Sequence, residues 1–139
     1  MSDTGFAPTA DRAAQVARSL RAADRPLPDL FRHVILQLLD DYSSVLRASG
    51  PGAAAAVFTV APPSTGDERV DAALAGLAEH LARRDGWDAP GWAFEPGRRA
   101  LHAWWVPQLP GLQVLALRDS PLAFRRRGVF LDPRSLDRV

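Results

Sequence analysis

Apolar residues recur at three- and four-residue steps over three long stretches of this chain, and each stretch predicts a helix. From Thr9, a candidate N-cap, the residues Ala13, Val16, Ala17 and Leu20 trace an amphipathic helix to about Asp24. Its apolar side chains are mostly small, so it reads as weakly anchored, and residues 1–8 before it read as a frayed tail. Pro26 and Pro28 end this helix and begin the next, since proline cannot continue a helix but suits a first turn. From Pro28 to about Ala48 a broad apolar face runs through Leu30, Phe31, Val34, Ile35, Leu38, Leu39, Tyr42, Val45 and Leu46, giving the strongest core helix of the pattern. His33 and Gln37 lie beside that face and read as its polar flank.

Ser49-Gly50-Pro51-Gly52 breaks that helix. Residues 53–60 are ambiguous, because the alanines favour helix while Val57, Phe58, Thr59 and Val60 favour extended chain; the expectation is a short helix that can finish extended. Thr65-Gly66-Asp67-Glu68 has the layout of a capping box, opening a third helix marked by Val70, Ala73, Leu74, Leu77, Ala78, Leu81 and Ala82. Arg83 and Arg84 complement the dipole of its last turn, and Gly86 suits a left-handed C′ position. Glu79-His80 reads as an exposed helical pair, with no partner at metal-ligand spacing.

The periodicity then changes. Between Trp87 and Pro110, four prolines and two glycines leave room for one short helix near Gly97–Trp105. Aromatic residues that each bury about 150–250 Å² can fix such a segment to a core. Beyond it, Leu112, Leu115 and Ala116 predict one or two helical turns ended by Asp119. Ser120-Pro121 reads as an N-cap and first helical residue, and Gly128 as a stop. Val129-Phe130-Leu131 reads as extended and inward-packed, and Asp132-Pro133 opens a final turn carrying Leu136 and Val139. The fold class is therefore all-α: a compact bundle of five or six helices with an ordered Trp/Pro-rich irregular segment and at most a very short extended stretch near 129–131. Residues 1–27 form the tail and weak helix, and residues 28–139 a single helical domain.

Composition narrows the function more by exclusion than by indication. The 139 residues contain no cysteine, which removes disulfides, thiolate metal sites and a Cys nucleophile. No apolar run approaches the roughly 20 residues that span a bilayer, and the first residues lack a signal-peptide layout, so no membrane role and a cytoplasmic location are expected. No GxSxG, GxxxxGK[ST] or GxGxxG pattern is present, and His33, His80 and His102 are scattered. The expectation is a protein without catalytic residues, cofactor or metal.

What remains is a charge and aromatic asymmetry. The net charge of +1 conceals −3 over residues 1–90 and +4 over residues 91–139, and all four tryptophans fall after residue 86. Trp and Arg are the residues most enriched among interface hot spots. Adjacent residues on one short helix cannot both face the interior, so Trp104 and Trp105 are the candidate partner-binding pair, with Arg98, Arg99, Arg125 and Arg126 as basic neighbours. Nucleic acid is the second candidate partner, held by arginines and stacked on tryptophan.

Two segments also carry a family resemblance. Pro62 to Trp87 (PPSTGDERVDAALAGLAEHLARRDGW) and Ser120 to Val139 (SPLAFRRRGVFLDPRSLDRV) resemble the C-terminal domain of a family of actinobacterial helix-turn-helix regulators and antitoxin-like proteins. That family is commonly associated with a nucleotidyltransferase-type toxin. The similarity spans roughly residues 28–139, with Thr65, Gly66, Asp67, Glu79, His80, Trp92, Ser120, Pro121, Phe124, Arg127 and Gly128 as the matching positions. The DNA-binding module that many members carry ahead of this domain has no counterpart in residues 1–27. The resemblance implies a cytoplasmic, non-enzymatic, antitoxin-like protein that restrains a toxin or enzyme partner, with a transcriptional-regulator accessory module as the alternative.

Overall fold

In the helix Glu68–Asp85, the side chains that point away from solvent do so in nearly every direction, and the rest of the chain is arranged around it. The computed structural model describes residues 9–137. Its elements are α1 (Ala10–Ala22), α2 (Leu27–Leu30), which runs through a π-helical turn at Phe31–Leu36 into α3 (Gln37–Ala55), and α4 (Glu68–Asp85). Then come β1 (Trp104–Trp105), α5 (Pro110–Asp119), α6 (Leu122–Arg125) and β2 (Val129–Phe130). Single 3₁₀ turns occupy Ala56–Phe58, Gly91–Phe94 and Pro133–Leu136. The fold is all-α apart from one parallel two-strand ladder that pairs Trp104 with Val129 and Trp105 with Phe130.

A helix that is apolar all round belongs inside a protein. The residues of α4 buried in the core are Val70, Ala72, Ala73, Leu74, Ala75, Leu77, Ala78, Leu81 and Ala82. One side meets α1, α3 and the π-helical turn; the other meets α6, β2 and the Gly91–Phe94 turn. Burying each of Leu74, Leu77 and Leu81 contributes about 1.5–3 kcal/mol. The small residues set how near the neighbours come: a Cβ on Gly76 would lie 2.9 Å from the Phe124 ring, so α6 crosses α4 at the one position without a side chain. α1 uses the same device, burying Ala10, Ala14 and Ala17 on one face. It starts at Thr9, whose side chain makes no capping hydrogen bond.

The helical periodicities hold, while several punctuation marks act differently from the expectation. Gly50 (φ 85°) interrupts α3, yet residues 51–55 resume helix and continue into the 3₁₀ turn, so residues 53–60 do not finish extended. The N-cap of α4 is Asp67, whose carboxylate accepts from Arg69 N, and not Thr65. Thr65 Oγ1 and N both donate to the buried Asp71 carboxylate at 2.8 Å, and Glu68 accepts from Leu101 N instead of closing a capping box. The loop before α4 is thus tied to its first turn from the side. Ser120 likewise caps nothing: it follows α5, and its hydroxyl accepts from Leu131 N (2.9 Å) while facing the Ala116 and Leu131 carbonyls. That serine fastens the C-terminal strand to the end of α5. Gly86 (φ 82°) ends α4 as expected. Residues 1–8 and Val139 lie outside the described residues.

One buried polar network sits where α3, α4 and the Trp-rich segment meet. Trp87 Nε1 donates to the Tyr42 hydroxyl (2.8 Å), which donates to Asp85 (2.6 Å), and Phe58 stacks on Trp87 with centroids 5.8 Å apart. Burial, then the bond to Asp85, pushes the Tyr42 hydroxyl up to about 12 from its ordinary 10.0. The folded state keeps this proton where the unfolded chain releases it. The associated stability is therefore intact below pH 10 and is lost as pH rises toward 12, by about 2–3 kcal/mol in all. Chemical denaturation at pH 9 and pH 11.5 is expected to show that loss, and Tyr42→Phe is expected to lack this alkaline limb.

Candidate functional site

The segment after Trp92 is held by backbone pairing as well as aromatic burial. Ala100 N donates to Arg127 O (2.9 Å), Trp104 N to Gly128 O (2.8 Å) and Val106 N to Phe130 O (3.0 Å). Gly128 (φ 80°) allows this approach, since a Cβ there would lie 2.9 Å from the Ala100 carbonyl oxygen. The expected helix near Gly97–Trp105 is consequently replaced by turns and by β1. Extended chain is the form that lets the two backbones satisfy each other's amides and carbonyls.

Strand alternation separates the two candidate tryptophans. Trp104 turns inward, is 4% exposed, and meets Phe31 edge-on at 5.7 Å. Trp105 turns outward, remains half-buried and stacks on Phe130 at 4.5 Å with an interplanar angle of 15°. Only Trp105 of the pair is available to a partner.

Beside this stack lies α5, with the sequence PGLQVLALRD. Its polar side chains are Gln113 and the terminal Arg118-Asp119 ion pair, yet only Ala116 is buried. Leu112, Val114 and Leu117 are exposed, as are Leu109 before the helix and Leu122 after it. Val114 reaches 66% exposure. A helix apolar on most of its circumference but covered on one side presents a surface suited to a second protein.

The arginines divide sharply by what they touch. Arg125 donates to the Leu117 and Arg118 carbonyls (2.9 and 2.8 Å), satisfying the C-terminal end of α5. Arg127 is 3% exposed and bonds Glu79 (2.6 Å), Ala123 O (2.7 Å) and Ala93 O (2.8 Å). Glu79 is itself 1% exposed, which corrects the expectation of an exposed Glu79-His80 pair. It also receives Arg83 (2.9 Å) and lies 3.5 Å from Arg126. Burial alone would raise the Glu79 carboxyl, but the Arg127 and Arg83 hydrogen bonds and the nearby guanidinium charges outweigh it and hold it below its usual value. The sequence signal for this cluster was a second face of α4, Ala72, Ala75, Gly76 and Glu79, whose small residues mark a close contact that carries one carboxylate with it.

Arg98 is also buried, donating through Nη2 to Pro62 O (2.5 Å) and lying over the Trp92 ring at 5.0 Å. Its Nη1 is the one buried side-chain polar atom without a hydrogen-bond partner among the described residues. A buried donor left so costs about 1–3 kcal/mol, more when charged. Arg99 and Arg126 remain exposed. The structure thus brings Arg98, Arg99 and Arg126 around one cleft and places Arg125 with α5.

A larger recess of about 600 Å³ lies between α1 and residues 33–41, walled by Val16, Leu20, Val34 and Leu38, with His33 and Gln37 along it. Gln37 donates to Asp41 (3.1 Å), whose carboxyl is nevertheless raised, first by burial and then by the neighbouring Asp40 charge. Among the described residues no group of three or more His, Asp or Glu side chains could hold a metal ion, and no helix is long and apolar enough to cross a membrane.

No family model, curated protein or solved structure matches the chain.

Proposed function

We propose that this chain is a non-enzymatic, antitoxin-like protein that binds and restrains a protein partner, and that it does so through α5 together with Trp105. The observation that carries this reading is the uncovered apolar circumference of α5, Leu112, Val114 and Leu117 flanked by Leu109 and Leu122. The Trp105-Phe130 stack supplies the aromatic component that interface cores favour. The resemblance of residues 62–87 and 120–139 to antitoxin-like proteins makes a toxin of the nucleotidyltransferase type the partner to try first. Nucleic-acid binding through the arginine run has less support, because Arg125 and Arg127 already hold carbonyls and Glu79.

Co-expression with the product of the neighbouring reading frame tests the reading. The two chains are expected to co-purify, and any toxicity of the partner is expected to be relieved. The variant Leu112→Glu/Leu117→Glu should weaken the complex by at least about 30-fold, as loss of a hot spot does. Its own melting temperature should stay near that of the parent, because both side chains are exposed. Absence of a complex with any adjacent gene product, or full affinity in the double variant, overturns the proposal.

A further inference from the structure

Away from α5, four arginines and one exposed ring surround a single cleft. Its volume is about 210 Å³, and its walls are Phe94, Glu95, Arg98, Arg99, Arg126 and Arg127, closed by Ala93. Glu95 is the only carboxylate among these residues, and it stands 3.9 Å from Arg98 Nε with 61% of its side chain exposed. Glu79 lies behind Arg127 and is already shared among Arg127, Arg83 and Arg126. Among the described residues these four guanidiniums meet two carboxylates, Glu95 and Glu79, so the cleft keeps an excess of positive charge, and like charges held together in a partly desolvated recess attract an anion.

The arginines differ in what they have left to give. Arg127 already bonds Glu79 and two carbonyls through Nη1 and Nη2, so it fixes the back wall and contributes chiefly its field. Arg98 is held rigid, its side chain 9% exposed, with Nη2 on Pro62 O and Nη1 lacking an acceptor. Among the described residues the Arg126 side chain has only the 3.5 Å approach to Glu79, and that of Arg99 only a 3.5 Å contact to the Arg126 carbonyl. A guanidinium presents five donors in a planar fork that fits the oxygens of a phosphate. Phe94 is 51% exposed on the same cleft and is steadied by the Arg127 guanidinium 5.3 Å from its ring centre. A flat ring carried by the anion can stack there.

We infer that this cleft binds a phosphate monoester bearing a flat ring, as in a nucleoside monophosphate, with the phosphate among Arg98, Arg99 and Arg126 and the ring against Phe94. The site is independent of the α5 surface: the two share no residue, so loss of either binding leaves the other measurable.

Calorimetric titration of the full chain with inorganic phosphate and with AMP provides the test. Both are expected to bind, AMP more tightly, with affinity falling as salt rises. Arg99→Ala and Arg126→Ala are each expected to weaken both ligands by about 10- to 100-fold, the effect of losing a charge-assisted hydrogen bond. Both side chains are exposed, so a far-ultraviolet dichroism melt can establish that the variants remain folded. Arg134→Ala, at an arginine outside the cleft lining and paired with Asp132, should bind as the parent does. Phe94→Ala should erase the advantage of AMP over phosphate. Absence of AMP binding at low salt, equal loss in Arg134→Ala, or unchanged affinity in Arg99→Ala and Arg126→Ala overturns the inference; AMP no tighter than phosphate overturns the role of Phe94.

Discussion

Replacing Arg127 with methionine is expected to cost the fold about 3–5 kcal/mol at pH 7, a large part of the roughly 5–15 kcal/mol that stabilises a domain of this size. The methionine keeps most of the volume but leaves Glu79 with weaker partners and strips the Ala93 and Ala123 carbonyls of their donor. The cause has a pH signature that distinguishes it from simple loss of packing. In the parent chain Glu79 is held below its ordinary 4.5, so its contribution is present above that value and is lost as pH falls through the folded value. Without Arg127, Glu79 keeps Arg83 and the more distant Arg126 but loses its closest partner, so its carboxyl moves upward and protonation by acid relieves part of the defect. Denaturation of Arg127→Met should show a smaller deficit at pH 4.5 than at pH 7, and Arg127→Met/Glu79→Gln should recover part of the loss. A deficit below about 1 kcal/mol, or one independent of pH, would falsify this account.

Trp104→Ala and Trp105→Ala are expected to separate cleanly despite their adjacency. Trp104 is enclosed against Phe31, and removing a buried indole costs about 3–5 kcal/mol, lowering the melting temperature by roughly 10–20 °C. Trp105 packs chiefly on Phe130 at the surface, so its loss should cost the fold about 1 kcal/mol while weakening the proposed partner complex. Thermal melts of the two variants beside partner affinity measure both effects. A similar destabilisation from the two substitutions would mean that β1 does not alternate as described.

The long helices α1, α3 and α4 were legible in the sequence because apolar spacing is a local property that packing did not need to override, while the expected helix near Gly97–Trp105 does not form. Leu74, Leu77 and Leu81 could be assigned to the core from one another alone. The ladder joining β1 and β2 was not legible in that way. Trp104 and Val129 stand far apart in the chain, and the reason one is extended is the other. The same holds for charge: nothing local to Arg127 marks it as buried, because its partner, Glu79, lies 48 residues away on α4. Thr65 and Ser120 were recognised as local hydrogen-bonding residues, but neither caps the helix that follows it: Thr65 donates to Asp71 inside the first turn of α4, and Ser120 accepts from Leu131 N. At the candidate surface, composition pointed to tryptophan and arginine. The uncovered leucines of α5 were overlooked because an apolar residue in a sequence is first assumed to be inside.

The pairing of Glu79 with Arg127 across 48 residues also bears on synthesis. While the chain is being made, the central helix is complete with only Arg83 beside Glu79 before the buried partner Arg127 exists, an interval of about 2–10 s at ~5–20 residues per second. Through that time the nascent protein carries a small-residue helix with one flank open and a carboxylate that solvent must keep hydrated. The emergence of Arg126 and Arg127 converts that wet flank into an interior, so a ribosome stalled before Arg127 would display the segment that quality-control proteases and chaperones are built to find.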